Sequence, residues 1–384
     1  GSTGANEEVI KNPAESKLIN ASKISGRTQR GLGIGVLNAI TRPQYATIES
    51  SDGKNEREYQ TNPLTNYNIL VFDQTLKHNS SVSLINTNVL RSGSDYDANV
   101  TAALFDLNNK KNKWNLGGKA ALSQLFYNER LGGTQLGYSY RVYTGKTSGR
   151  LNANIWHEAT DTRYNHNDLG YFTNNNYRDV GGYVGYRWTE PRHWYNRIFL
   201  NLNARFSYLY QQIGNLEPMF QRGDVNANVN FQTKKLHWFG LFTGFSPAQN
   251  DFYEPRVPGY FFRRGASAAM GGWFESNPAK KYSFAVENFV RKYIDFYQLT
   301  AWDLMIRQNL RFNQKFSLAY NFNYMPRYNG VGFGTIENGT PVFGRRKVNT
   351  IENILDAKYS FSNMMWLTFR LRHYYSSVRY NNYY

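Results

Sequence analysis

Gly31, Gly33 and Gly35 stand in the run Gly31-Leu32-Gly33-Ile34-Gly35-Val36, a spacing that invites comparison with nucleotide-binding loops. That chemistry needs a strand, a G-x-G-x-x-G turn and then a helix whose first amides meet a phosphate. Here glycine recurs every second residue inside an alternating segment, so all three fall on one strand face. A smooth patch for another backbone or a plug is the expectation. The histidines, His78, His157, His166, His193, His237 and His373, are candidate acid–base groups. General base catalysis needs a nucleophile and an orienting carboxylate within reach. These six are scattered through turns, loops and strand ends, and no Ser or carboxylate keeps a repeated spacing with them. They read as isolated polar positions; no catalytic residue is assigned and no enzyme is expected. Loop 158–178 gathers oxygen ligands at Glu158, Asp161, Asn165, Asn167, Asp168 and Asn174–Asn176. The spacing of a calcium-binding EF-hand is absent, so a solvated surface loop is expected, with no metal and no cofactor.

Arginine is the other chemically pointed residue. Arg197, Arg205, Arg307, Arg311, Arg370 and Arg372 share strand faces with Asn226, Asn228 and Asn230. A pore lined this way would favour anions, or its guanidinium groups would pair with an acidic plug or partner. Further basic residues, among them Arg30, Lys110, Lys111, Lys234, Lys235, Lys280 and Lys281, gather in short turns. There they suit lipid phosphate and resist pairing at a sheet rim.

The elements that carry these residues are strands. From Arg197 to Tyr210, one row reads Ile198, Leu200, Leu202, Ala204, Phe206, Tyr208, Tyr210, and the other holds Arg197, Asn201, Asn203, Arg205 and Ser207. Alternate residues of a strand point to opposite faces, so this segment has one apolar and one wet wall. The pattern recurs at 225–232, 302–312, 316–324 and 367–372. Runs of about ten residues cross a bilayer when tilted. Soluble sandwiches alternate too, but with shorter strands. Trp188, Tyr208, Tyr210, Trp302, Tyr320 and Tyr324 at the apolar rows suit an interfacial aromatic girdle. The loop at 247–262, with Phe252, Tyr253, Tyr260, Phe261 and Phe262, is aromatic enough to fold inward or to contact a partner.

Short turns are expected near 26–31, 76–80, 107–113, 144–148, 190–196, 232–236, 276–281, 312–315 and 361–364, with longer loops near 42–63, 91–98, 127–135, 158–178, 211–222, 247–262, 292–299 and 325–346. Nine short turns join eighteen strands, so the fold class is all-β: a transmembrane antiparallel β-barrel with about 18 strands here, part of a larger barrel of 20 or more. Residues 1–16 are expected to be an N-terminal extension, 17–376 the barrel, and 377–384 a loop leading to missing strands. Short turns would lie on the periplasmic side.

Composition agrees with such a wall. The 384 residues include 45 Asn, 30 Tyr, 25 Phe and 8 Trp, and no Cys. Disordered chains are poor in aromatics, and no apolar run is long enough for a membrane helix. The net charge of +17 asks for an anionic partner. A nucleic acid needs a concentrated basic patch; these charges are dispersed, so no nucleic acid is expected. The expected partners are outer-membrane lipid and lipopolysaccharide phosphates, with a plug or another surface protein as a further possibility.

Several segments carry a resemblance: Lys23–Thr28, Gly31–Thr41, Asn66–Gln74, Ser80–Asn88 and Leu371–Tyr380. Together they resemble a family of Bacteroidota outer-membrane proteins that join an N-terminal domain similar to carbohydrate-binding family nine to a C-terminal barrel of unknown function. The resemblance implies the barrel part only, in the bacterial outer membrane, and supplies no activity or catalytic residue. The expected function is a pore or transporter for small polar or anionic solutes or glycans; the alternative is a non-catalytic scaffold or accessory subunit of a larger outer-membrane complex.

Overall fold

A computed structural model of the chain describes residues 4, 7–50, 55–93, 95–127, 132–171, 174–216, 218–294 and 298–383. Parts of the expected loops at 42–63, 91–98, 127–135, 158–178, 211–222 and 292–299, and residue 384, lie outside the described residues. The fold is all-β, and eighteen strands belong to its large antiparallel sheet. The contacts divide the chain into two compact units, Gly1–Gly145 with Trp156–Arg178, and Lys146–Ile155 with Asp179–Tyr384.

The first unit holds β1 (Glu7–Lys11), β2 (Leu18–Arg27), β3 (Leu32–Thr41), β4 (Gln44–Ser50), β5 (Glu56–Asn62), β6 (Thr65–Leu76), β7 (Ser80–Arg91), β8 (Asp97–Asn108), β9 (Trp114–Phe126), most of β10 (Thr134–Lys146) and the end of β11 (Leu151–Thr160). The ladder β2–β3–β6–β7–β8–β9 is antiparallel throughout. The other edge of β2 has no ladder partner among the described residues. Strands β1, β4 and β5 form a separate three-stranded sheet, so part of the segment expected as loop 42–63 is regular structure. Its alternation, Gln44, Ala46 and Ile48 buried against exposed Tyr45, gives it a packed side.

The second unit holds the start of β11, most of β12 (Tyr177–Trp188), and β13 (Tyr195–Tyr208), β14 (Phe220–Thr233), β15 (Trp238–Ser246), β16 (Gln249–Asp251), β17 (Phe262–Arg264), β18 (Ala266–Glu275), β19 (Tyr282–Ile294), β20 (Thr300–Arg311), β21 (Phe316–Glu337), β22 (Thr340–Ser360) and β23 (Trp366–Tyr383). The ladder runs β13–β14–β15–β18–β19–β20–β21–β22–β23. Strands β16 and β17 are a small hairpin set apart from it.

All nine short turns fall where the sequence places them. Three other expectations are corrected. Residues 325–346 are not a loop: β21 and β22 continue through them to a turn at Asn338 and Gly339, with φ of 50° and 77°. A two-residue Asn-Gly turn with both residues left-handed matches the twist of a hairpin. Residues 377–383 continue β23 rather than forming a loop. Gly33 and Gly35 do lie in a strand, β3, and no helix follows, but the smooth patch is filled: the Arg27 guanidinium covers Gly33. Arg27 Nη1 donates to the Gly31 carbonyl and to Thr75 Oγ1, both at 2.7 Å, and Arg27 also pairs with Asp73.

Candidate functional site

The register fixes which residues share a face in the second unit. Leu202 lies opposite Ala227, Ala227 opposite Thr243, Thr243 opposite Met270, Met270 opposite Val290 and Val290 opposite Trp302. Leu202 and Met270 of this row are 48% and 70% exposed, and Leu241 in the row beside it 62%, while Ala227, Val290 and Trp302 are half-buried. An exposed face this continuous and apolar is unusual for a soluble monomer. At its short-turn end an aromatic row follows. Phe231 and Phe239 stack at 4.9 Å, Phe274 and Phe284 lie at 5.6 Å, and Phe312 stacks on Phe316 at 5.0 Å. The girdle residues named from the sequence are all Trp and Tyr; these phenylalanines, which also end apolar rows, are not among them.

The expected girdle residues are distributed over both ends. Trp188 ends β12 at the short-turn side, 4.6 Å from Tyr186. Tyr208 packs edge-on against Phe220, and Trp302 against Tyr324, at the opposite end, both at 5.5 Å. Tyr320 does not sit at an end: it lies within β21, and its hydroxyl donates to Asn353 Oδ1 at 2.7 Å. Tyr210 lies just past the end of β13.

The other face of the same strands carries the expected polar residues, and the fold brings them together. Tyr183 Oη donates to Asn201 Oδ1 at 2.7 Å, and Asn201 Nδ2 donates to Asn228 Oδ1 at 2.8 Å. Asn230 reaches the same Asn228 oxygen at 2.8 Å, and Asn203 reaches Asn226 at 3.0 Å. The arginines do not stand as a bare cationic ring. Arg205 pairs with Asp179, whose side chain is only 2% exposed. Arg370 pairs with Asp356 and Arg372 with Glu352, both at 2.6 Å. Arg307 Nε donates to Asn321 Oδ1 at 3.1 Å. Arg311 donates to the carbonyls of Pro278 and Lys280 at 3.0 and 3.1 Å. Arg197 is exposed near the short-turn end of β13.

Sequence reading missed the carboxylates that answer these arginines. Asp179, Asp356 and Glu352 lie on neighbouring strands and become partners only through cross-strand register. A further cluster was also missed: Ser246 Oγ donates to Asp224 at 2.5 Å, and Arg291 Nη1 donates to Ser246 and Ser267, both at 3.0 Å. Two recesses open on this face. One, of about 320 Å³, is lined by Asn152, Asn154, Tyr183, Arg187 and Asn201. The other, of about 410 Å³, is lined by Lys280, Ser283, Asn309, Arg311, Asp356 and Lys358. The first carries only cationic charge, at Lys146 and Arg187, beside its amides, while the second sets Lys280, Arg311 and Lys358 against Asp356.

The aromatic loop folds on its own unit. Phe252 is 8% exposed and lies 5.6 Å from Phe261, while Phe262 stacks on Phe343 of β22 at 4.6 Å. Glu254 Oε1 accepts the Phe333 N–H at 3.1 Å, and Arg256 sits 4.5 Å over the Phe333 ring. Tyr253 and Tyr260 keep exposed surface. Burial, with the Asp251 charge, raises the Tyr253 phenol above its ordinary value.

In the first unit, loop 161–176 is not simply a solvated loop. Asp161 Oδ1 accepts the N–H groups of Arg163 and Tyr164 at 3.0 and 2.7 Å. The side chain of Asp168 is 8% exposed, pairs with Arg91 and accepts from Tyr96 Oη at 3.0 Å. Val89, Ala98 and Leu125 form an apolar cluster with Tyr67, Tyr96 and Tyr127 beside it. Burial lowers the His166 pKa, with the nearby Lys119 charge adding to it. The Asp161 and Asp168 carboxylates are thus spent on backbone amides, a phenol and a guanidinium. Among the described residues no three His, Asp or Glu side chains converge as a metal site would require.

A family model described as a domain of unknown function (DUF5916) matches residues 1–384. No curated protein and no solved structure matches the chain.

Proposed function

We propose, for a chain that belongs over residues 1–384 to the DUF5916 family, that it forms the wall of an outer-membrane β-barrel of a Gram-negative bacterium, with the Bacteroidota affinity its motifs suggest, and that this wall lines a conduit for small polar solutes. One observation carries the reading. The strands of the second unit expose Leu202, Leu241 and Met270 on one face and join asparagines and ion pairs on the other. Only closed barrels and helices satisfy backbone groups inside hydrocarbon, and the apolar-out, polar-in alternation is that of a barrel strand. Because Arg205, Arg370 and Arg372 each have a carboxylate partner, the conduit would carry little anion preference. Exposed lysines in the short turns, such as Lys110, Lys111, Lys234 and Lys235, suit lipid phosphate at that rim.

The test is reconstitution. The chain should fold into detergent or liposomes, resist boiling-dependent mobility change until heated, and let small sugars enter liposomes. A polypeptide that stays folded and monomeric in plain buffer would overturn the membrane reading. Folded protein in sealed, sugar-impermeable liposomes would leave the wall and remove the conduit. A scaffold role is the second reading, favoured by loop 247–265 packing on the β21–β22 hairpin, which builds a structured surface bearing Tyr253 and Tyr260.

A further inference from the structure

The apolar face of the first unit contains an interruption. Asn38 lies opposite Asn68, Asn68 opposite Asn88, Asn88 opposite Asn99 and Asn99 opposite Gln124. Five strands, β3 and β6–β9, thereby carry one amide each in a single row. Asn66, Asn86 and Thr101 flank the row. The amides bond one another: Asn38 Nδ2 donates to Asn66 and Asn68 at 2.6 and 2.8 Å, Asn86 Nδ2 donates to Asn99 and Thr101 at 2.9 and 2.8 Å, and Asn99 donates to Gln124 at 3.0 Å. The amide nitrogens of Asn66, Asn68 and Asn88 make no side-chain hydrogen bond among the described residues.

The surroundings make this row anomalous. On the same face, toward the short turns, Val36, Leu70, Phe72 and Leu84 are exposed; toward the long loops, Leu90 and Phe126 are 44% and 40% exposed. The amides therefore lie between an apolar band on the short-turn side and, on the long-loop side, a row in which Ile40, Leu90 and Phe126 alternate with Asn66 and Asp97. In the second unit the row Leu202–Ala227–Thr243–Met270–Val290 carries no amide, and the row beside it, Leu200–Val229–Leu241–Gly272–Asn288–Leu304, carries one rather than five. A polar group facing hydrocarbon without a partner is costly, so a lipid-facing wall does not keep such a row uncovered.

We infer that this row is the interface between two copies of the chain in the membrane. Two features favour a second copy. The carboxamide is both donor and acceptor, so a patch of amides is complementary to itself, as a two-fold interface requires. No charged side chain interrupts the row itself, and Asp97, beside it on this face, accepts the Arg91 N–H at 2.7 Å. Exposed Leu84 and Leu90 on either side give apolar contact around the polar centre. This inference rests on the membrane reading above.

The absence of cysteine in the chain gives a clean probe. Asn88 is the centre of the row, so Asn88→Cys should form a covalent dimer with a short bis-maleimide in liposomes, whereas Met270→Cys on the apolar face of the second unit should not. Native mass spectrometry of the unmodified protein from detergent should give twice the chain mass, and the double variant Asn86→Leu/Asn88→Leu should shift it to the single-chain mass. The same variant should keep heat-modifiable mobility on gels, which reports folding in the amphiphile. A folded wild-type monomer in both detergent and liposomes, or equal cross-linking at Asn88→Cys and Met270→Cys, would overturn the dimer and leave the membrane reading standing. Co-purification of a different membrane protein or a glycolipid that is lost from Asn86→Leu/Asn88→Leu would also overturn it. Loss of mobility shift in the wild type would instead strike the membrane reading itself.

Discussion

Leu241→Arg tests the face assignment most directly. Leu241 sits near the middle of β15, opposite Val229 and Gly272, with 62% of its surface exposed. An arginine at that position is a surface change if water covers this face, and such changes stay within about 0.5 kcal/mol. If lipid covers it, an arginine near the bilayer midplane costs about 2–4 kcal/mol, roughly a thirty- to seven-hundred-fold fall in the folding constant at 1.4 kcal/mol per decade. Met305→Arg is the matched control. Met305 is on the polar face of β20, 36% exposed, opposite Glu287 and Asn323, so its new charge meets a carboxylate and an amide, and the change should stay within about 1 kcal/mol. The assay is reversible urea unfolding from thin-chain phosphatidylcholine vesicles, read by tryptophan fluorescence and by gel mobility without boiling. Equal stability of the two variants, or a cost for Leu241→Arg below about 0.5 kcal/mol, would refute the alternation argument.

Three further outcomes are expected. Arg205→Met leaves the nearly buried Asp179 carboxylate without its guanidinium; because Arg205 is itself 48% exposed, the cost should be about 2 kcal/mol, below the range for a fully buried pair, and Asp179→Asn in the same chain should recover most of it in urea melts. Gly137→Val places a Cβ 2.2 Å from the Tyr164 backbone nitrogen, so loop 161–176 must move; trypsin should then cut after Arg163 while the strands stay protected, and unchanged cleavage would contradict the packing. In the β1–β4–β5 sheet, the Arg57 guanidinium, helped by the Gly4 N–H, holds Glu7 at about 2. A depressed carboxylate pKa means the contact is complete above the ordinary value of 4.5 and fades as pH falls toward about 2; the Glu7 carboxyl resonance should titrate there in wild type and at clearly higher pH in Arg57→Ala, where only the Gly4 N–H still lowers it.

The strands and their faces were legible because their information is local. A strand has a period of two, so Leu200, Leu202 and Ala204 declare their side without knowledge of any neighbour. The short turns were legible for the same reason, since they fall where alternation stops. The 325–346 hairpin was misjudged because Pro326, Asn329 and several glycines look like loop residues, and the Asn338-Gly339 turn signal was passed over. Partners across strands were not legible. Arg370 and Asp356 are 14 residues apart, and Arg91 and Asp168 are 77 apart; nothing in either local pattern sets the register that joins them. The amide row is the sharpest case. Asn38, Asn68, Asn88, Asn99 and Gln124 sit in five alternating segments, and each alone reads as an isolated polar residue.

The sequence by itself determined an all-β chain, its nine short turns, its apolar and polar faces in the second unit and its lack of thiol chemistry, because side-chain period and residue type are properties of consecutive atoms. Only the tertiary structure decided which carboxylate neutralises which arginine, that loop 161–176 docks through Asp168 on Arg91, and that five distant amides form one line, because hydrogen-bond register between strands couples residues whose separation along the chain carries no trace of their distance in space.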